Sequence, residues 1–311
     1  MLVVTGAVAF DHIFPFSGRF ADHILPEKIH VLNMSVVVDT VNRRFGGTGG
    51  NQAYTLGLLG MKPILLSSAG YDFDTFEKYL VTAGVDTRYI AHQDDLLTTF
   101  AFALTDRDDN QIWGFAKNAM VKAADLHISN IKEPVDFVLV TPDEFQAVEQ
   151  YLVECQQKNI DYAFDPAFDI PNLAPSVLKK GVEHATMVFG NDYEIALLKK
   201  RTGLTHEELV KNRIVITTLA EKGSIIEKNN GKMDVSAAKP KKFVSPAGAG
   251  DAYRSGFLAG YLRGYELKVC GQMGSVAAVY AIEHPGTIEH RFTKEEFIKR
   301  YKENYAQDLL L

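Results

Sequence analysis

The chain has 311 residues, of which 46% are hydrophobic and 23% are charged, and its formal net charge is −6 at pH 7. This composition is typical of a globular protein and excludes a disordered chain, a collagen-like chain and a disulfide scaffold. Lysine and arginine are scattered along the sequence, so we expect neither a nucleic acid nor a membrane as partner. The composition favours small-molecule chemistry.

Cysteine use is sparse, because Cys155 and Cys270 are the two cysteines and neither has the spacing of a metal site. Such use favours the reducing cytoplasm. The apolar start of the chain lacks a basic segment and ends at Asp11 and His12. It therefore predicts a buried strand, with no signal peptide and no transmembrane segment.

Short apolar runs alternate with amphipathic stretches, which is the pattern of a doubly wound, mostly parallel α/β sheet flanked by helices. In chain order, strands are predicted at residues 2–9, 35–38, 63–67, 135–141, 162–164, 187–189 and 214–217. Helices are predicted at residues 51–59, 74–83, 143–158 and 252–262. Gly60 and Gly84 are suited to end the first two of these helices.

Residues 97–116 depart from this pattern and predict a β-hairpin. Phe100 and Phe102 alternate with small residues, a polar turn follows, and Trp113 and Phe115 alternate on the return. The hairpin is expected to pair with part of 12–45 as a small inserted β lid. The predicted division is a body of residues 1–11, 46–92 and 118–311 and a lid of residues 12–45 and 93–117.

A glycine loop at residues 245–251, with the sequence SPAGAGD, leads directly into a predicted helix. Gly248 and Gly250 leave room for backbone N–H groups to face an anion at the helix N-terminus. Asp251 is placed either to accept a proton from an attacking hydroxyl or simply to cap the helix. Local sequence leaves both interpretations open.

A second glycine run, GGTGGNQA at residues 46–53, precedes another predicted helix. Its glycines permit close approach to a ligand or a hinge, although a plain loop is an alternative. Neither run matches the GxxxxGK[ST] phosphate loop. Neither matches GxGxxG, since Tyr253 stands at the third glycine position, and this disfavours a dinucleotide-binding oxidoreductase.

The two glycine segments, GGTGGNQAYTLGLLG and SPAGAGDAYRSGFLAG, resemble the signatures of the ribokinase/PfkB family of carbohydrate and nucleoside kinases. The resemblance spans essentially the whole chain and implies a ribokinase-like fold. It also implies that Asp11, Gly47 and Asn51 bind substrate. It further implies that Asp251 is the catalytic base and that Gly248, Ala249 and Gly250 form its anion hole.

The same resemblance implies an ATP and Mg²⁺ site. The segment NDYE matches the NxxE motif of the family, so Asn191 and Glu194 are expected to place Mg²⁺ and phosphate, with Glu194 acting through water. The loop from Thr218 to Gly223 resembles the loop beside ATP, and residues 277–287 resemble the segment beside adenine.

Three positions depart from the family pattern. Ser245 stands where Asp is usual, Ala247 where Thr or Asn is usual, and Ala220 where glycine is usual. Because Asp251 and the glycines of its anion hole remain, activity is still expected.

Within the family, the segments YDF, TDRDDNQI, GDAYRSGF and FDPAFD are most similar to kinases of the adenosine kinase type. The four aromatic residues of the hairpin either offer a face for a purine or form the core of the lid.

These features predict an ATP- and Mg²⁺-dependent kinase, a monomer or homodimer, that phosphorylates the 5′-hydroxyl of a nucleoside, adenosine above others. The alternatives are a ribose or fructose kinase and a nucleotide-binding regulator with weak or no turnover.

Overall fold

The computed structural model describes residues 1–229 and 231–311 and arranges them in two β-sheets with flanking helices. The strands are β1 Leu2–Thr5, β2 Ala9–Pro15, β3 Asn42–Gly46, β4 Ile64–Gly70, β5 Ile90–Gln93, β6 Thr99–Thr105, β7 Gln111–Ala116, β8 Phe137–Val140, β9 Asp161–Phe164, β10 Met187–Asn191, β11 Ile214–Thr218, β12 Ser224–Lys228 and β13 Gly231–Val235. The α-helices are α1 Thr48–Leu58, α2 Asp74–Thr82, α3 Phe145–Lys158, α4 Pro175–Glu183, α5 Asp192–Thr202, α6 His206–Val210, α7 Ala249–Leu262, α8 Leu267–Ile282 and α9 Lys294–Tyr305.

The larger sheet has the strand order β13-β12-β11-β10-β9-β8-β1-β4-β5. Strands β4, β5, β1 and β8 to β11 pair in parallel. Both faces are covered, since Val4 belongs to one hydrophobic cluster and Val3 to the cluster on the other side. The predicted α/β class is confirmed. It was visible in the sequence because strands buried on both faces appear as continuous apolar runs.

The two strands at the β13 edge of this sheet were not predicted from the sequence. Strands β12 and β13 pair antiparallel beyond β11. Glu227 and Lys228 interrupt the apolar run of β12, and β13 is largely polar, so neither has the continuous apolar pattern of the central strands.

A second sheet has the order β3-β2-β6-β7. The predicted hairpin is confirmed as β6 and β7. The expected strand at residues 35–38 is wrong, since this segment has no strand and Val37 is 84% exposed. Instead β3 pairs with β2, which starts at Ala9, so the predicted strand 2–9 is divided between the two sheets. The chain thus enters the second sheet before the body–lid boundary expected after residue 11.

Glycine conformations set where the two key helices begin. Gly47 has φ 86° and precedes α1, which starts three residues earlier than residue 51. Gly248 has φ 75° and precedes α7, which starts at Ala249 rather than Ala252. Both angles lie in the left-handed region that favours glycine, so each helix starts at its glycine loop.

Within the described residues, no helix combines the length and the apolar character that crossing a membrane requires.

Candidate active site

A cavity of about 620 Å³ lies where the N-termini of α1 and α7 meet the second sheet. Its volume is in the range of small-molecule sites, about 300–1,000 Å³. The predicted site residues that line it are Asp11, Gly47, Asn51, Glu194, Gly248, Gly250 and Asp251. The folded chain therefore brings the expected acceptor-binding residues and the expected base into one cavity.

The N-terminus of α7 presents free backbone donors at this cavity. A side chain at Gly248 is excluded, because a Cβ there would lie 2.4 Å from the carbonyl oxygen of Thr287. The N–H of Ala249 donates to Pro246 O at 3.3 Å, whereas no described residue accepts from the N–H of Gly250 or Asp251. Free N–H groups at the positive end of a helix dipole attract anions.

Asp251 is held by the side chains of α1. Its Oδ2 accepts a hydrogen bond from Nδ2 of Asn51 at 2.8 Å, and Nε2 of Gln52 lies 3.4 Å from its Oδ1. Burial raises the pKa of Asp251, while Arg254 and these two amides lower it. A carboxyl of raised pKa that is still held by donors is suited to accept a proton at neutral pH.

Asp11 and Gly47 also line the cavity. Burial, followed by the charge of Glu289, raises the pKa of Asp11 to about 6, although Arg44 lowers it. A Cβ at Gly47 would lie 2.5 Å from the carbonyl oxygen of Ala7. The glycine thus lets α1 approach the link between β1 and β2, beside which Asp11 lies.

The residues expected at the nucleotide lie at a neighbouring edge. Asn191 and Thr218 are directly paired at the ends of β10 and β11, and Gly223 follows with φ 93°. These three residues and Ala249 do not line the described cavity. The side chain of Asn191 accepts the N–H of Glu194 and so caps α5.

Glu194 has one oxygen available for a hydrated cation. Its Oε2 accepts from the Asn191 N–H at 2.8 Å and from Nη2 of Arg254 at 3.2 Å, while its Oε1 has no hydrogen bond within the described part of the chain. No group of three or more potential ligands is found in residues 1–229 and 231–311. This arrangement fits Mg²⁺, which binds through one or two carboxylates together with water and substrate phosphates.

The hairpin aromatics do not form one face. Phe115 is paired with Ala101 and Trp113 with Ala103, so both lie on the sheet face opposite to Phe100 and Phe102. Phe115 lines the cavity and stacks on Phe168, with ring centroids 6.3 Å apart. These two rings are 67% and 58% exposed, which is unusual for phenylalanine.

A family model described as "pfkB family carbohydrate kinase" matches residues 14–294. The chain belongs to this family. The predictions of the family and of a phosphotransferase acting on a hydroxyl group are therefore confirmed.

Two relatives that match over nearly the full length are named nucleoside kinases. Those of Methanocaldococcus jannaschii and Methanothermobacter thermautotrophicus are 27% and 30% identical, and the matches cover 97% and 99% of this chain and 97% of each relative. The structure of Burkholderia thailandensis nucleoside kinase in complex with inosine has a TM-score of 0.87 and 30% identity, with 99% of both chains covered. The Methanocaldococcus jannaschii nucleoside kinase structure has a TM-score of 0.85, covering 97% of this chain and 98% of that one.

Two departures of this kinase from the family pattern have structural explanations. Ala220 has φ 51°, in the region that favours the usual glycine. The hydroxyl of Ser245 accepts the N–H of Ala247 at 3.2 Å, the short-range turn contact that an aspartate also makes. The structure offers no reason for alanine at position 247.

Several site residues received no role from the sequence, namely Gln52, Asp143, Asp165, Phe168 and Arg254. Thr287 ends the segment expected beside adenine, but its hydroxyl donates to Oδ1 of Asn51 at 2.9 Å. Arg254 carried a usable signal, because a charged residue stands among the apolar residues of the helix that follows the glycine loop at 245–251.

Proposed function

We propose that this protein is an ATP- and Mg²⁺-dependent nucleoside kinase that transfers the γ-phosphoryl group to the 5′-hydroxyl of a purine nucleoside, with adenosine as its principal substrate. It is further proposed to act in the cytoplasm as a monomer or homodimer. The observation that carries the proposal is the hydrogen bond from Asn51 to Asp251. It joins the acceptor side of the cavity to a partly buried carboxyl at the N-terminus of α7, where free N–H groups can bind an anion.

In the proposed reaction, Asp251 orients the 5′-hydroxyl and accepts its proton as the oxygen attacks phosphorus. Phosphoryl transfer depends mainly on positioning and on electrostatic stabilisation of the equatorial oxygens. The N–H groups of Gly250 and Asp251 supply donors for these oxygens. Mg²⁺, held through water by Glu194, would neutralise phosphate charge.

The nucleoside class is supported by the relatives and by residues that line the cavity. The relatives named nucleoside kinases span the chain, and one was solved with inosine and with ADP and inosine. Phe115 and Phe168 offer exposed aromatic faces against which a base can stack. Asp11 faces the same cavity and provides acceptor oxygens for ribose hydroxyls.

The preference for adenosine is argued from Asp143. This residue is 2% exposed and lines the cavity, and its Oδ1 accepts the Glu144 N–H while its Oδ2 has no partner in the described chain. Burial raises the pKa of Asp143 well above its ordinary value, which favours a neutral carboxyl with one O–H donor. Adenine accepts at ring nitrogen N1, whereas hypoxanthine carries a hydrogen there.

The test is ADP release from Mg-ATP with adenosine, inosine, guanosine, cytidine, ribose and fructose offered separately. We expect turnover on nucleosides, and phosphorus NMR of the product should show a 5′-phosphate. Asp251→Asn should lower kcat by about 10²- to 10⁴-fold, the usual size of general base catalysis, with a small change in KM. The exposed Asp308, changed to Asn, is the matched control.

Each other result contradicts part of the proposal. Turnover on free sugars alone would assign the protein as a sugar kinase. Nucleotide binding without transfer to any acceptor would favour a regulator. Near-normal kcat in Asp251→Asn would remove Asp251 from the role of base.

A further inference from the structure

Arg254 lies one turn after Asp251 on α7 and is 6% exposed. Its Nε lies 2.8 Å from Oδ2 of Asp165, and its Nη2 lies 3.2 Å from Oε2 of Glu194. Asp165 is itself buried and also accepts from Nε2 of Gln52 at 2.6 Å. The guanidinium is thus held by an ion pair to Asp165 and by a hydrogen-bonded ion pair to Glu194, two carboxylates from other parts of the chain.

The third nitrogen of this guanidinium is directed to the anion-binding loop. A Cβ at Gly250 would lie 2.4 Å from Nη1 of Arg254, so the glycine leaves the space that Nη1 occupies. No residue in 1–229 or 231–311 accepts a hydrogen bond from Nη1. Arg254, Gly250 and Asp251 all line the cavity, so an unused cationic donor lies beside the free N–H of Gly250.

The negative charges around Arg254 are the next observation that favours a cation here. Asp165, Glu194 and Asp251 place three carboxyl groups around the guanidinium of Arg254, and Glu194 and Asp251 also line the cavity. Arg254 and Lys117 are the basic residues that line the described cavity, and Arg254 is the one whose Nη1 lies beside Gly250. Without Arg254, approach of a phosphoryl group would be opposed by like charge.

We propose that Arg254 is a further catalytic residue, whose Nη1 donates to a non-bridging oxygen of the transferring phosphoryl group. Meanwhile Nη2 stays hydrogen-bonded to Glu194, and the guanidinium stays ion-paired with Asp165. This inference rests on the proposed phosphoryl transfer. The bond from phosphorus to the β,γ-bridging oxygen breaks and its electron pair leaves with ADP. The bond from the acceptor oxygen to phosphorus forms, and the hydroxyl proton passes to Asp251. Arg254 keeps its protons throughout.

The first test compares Arg254→Lys and Arg254→Met with the wild-type protein in steady-state kinetics. A donor that acts in the transition state lowers kcat by about 10²- to 10³-fold when it is removed, with little change in KM. We expect this result for Arg254→Met and a partial loss for Arg254→Lys, which keeps the charge but not the planar fork.

The second test measures a property that a purely structural arginine does not affect. Binding of ADP alone and of ADP with aluminium fluoride, a mimic of the transferring group, is measured in the presence of the acceptor. Arg254→Met should bind ADP normally and lose about 10²-fold or more in the extra affinity due to aluminium fluoride. Arg300→Lys, which alters another buried ion pair, is the matched control and should keep that extra affinity.

Gly250→Ala gives an independent check. The added methyl group displaces Nη1, so it should lower kcat in the wild-type protein and lower it much less in Arg254→Met. Equal losses in both backgrounds would overturn the inference.

Wild-type-like kcat in Arg254→Met, or undiminished affinity for aluminium fluoride, would overturn the role of Arg254 and leave the proposed kinase intact. If the wild-type protein phosphorylates only a sugar, the same measurements with that sugar decide the role of Arg254. If it phosphorylates no acceptor, both proposals are overturned.

Discussion

Changing Asp11 to Asn should weaken nucleoside binding and, at the same time, stabilise the unliganded protein. Burial and the charge of Glu289 raise the pKa of Asp11 from 3.8 to about 6. Since the folded-state pKa lies above the unfolded value, the neutral form is favoured on folding. The contribution of the Asp11 carboxyl to stability is therefore fully present below pH 3.8 and is lost as the pH rises through 6.

The size of the effect follows from the two pKa values. The difference between 6 and 3.8, at about 1.36 kcal/mol for each unit, gives about 3 kcal/mol at pH 8 and about half of that at pH 5. With an unfolding entropy of about 2.1 cal/mol/K for each of 311 residues, 3 kcal/mol corresponds to about 4–5 °C in Tm. Loss of hydrogen bonds to a charged carboxylate costs about 1.5–3 kcal/mol, so nucleoside KM should rise about 10- to 100-fold.

The assay is thermal unfolding of wild-type protein, Asp11→Asn and the exposed control Asp308→Asn between pH 5 and 8, together with nucleoside KM over the same range. Wild-type KM should rise as the pH falls through 6, because the carboxylate is the better acceptor. Glu289→Gln should move that midpoint to lower pH, since Glu289 raises the pKa of Asp11. A Tm difference for Asp11→Asn that does not change with pH would refute the reasoning.

Three further predictions concern recognition of the nucleobase and the turn at Ala220. Phe115→Ala should raise nucleoside KM by about 5- to 10-fold through loss of about 1 kcal/mol of stacking, with kcat little changed, and an unaltered KM would argue against stacking. Asp143→Leu should lower the ratio of kcat/KM for adenosine over inosine, whereas Asp143→Asn, which retains a donor, should not; equal effects on both nucleosides would leave Asp143 with a structural role alone. Ala220→Gly should raise the free energy of unfolding by about 1 kcal/mol, because φ is 51° there, and denaturant titration measures it.

Much of the fold was predictable because its signals are local. Strands β1, β8, β10 and β11 are continuous apolar runs, and a strand buried on both faces requires such a run whatever its neighbours are. The hairpin of β6 and β7 was equally visible from alternation around a polar turn. The strand expected at residues 35–38 is not formed. Its three valines have a high strand propensity, but such residues form a strand only when a neighbouring strand pairs with them, and this segment is in neither sheet.

By itself, the sequence determined the family, the class of the fold and the two glycine loops that begin α1 and α7. Those features depend on residues close together in the chain, where backbone angles and helix N-termini follow from local chemistry. Tertiary structure decided the site. Asn51 and Asp251 are 200 positions apart and share a hydrogen bond, and Arg254 finds its partners on Asp165 and Glu194. It also decided which face of the hairpin carries Phe115 to the cavity, because pairing register and packing of the two sheets are set by contacts between distant segments.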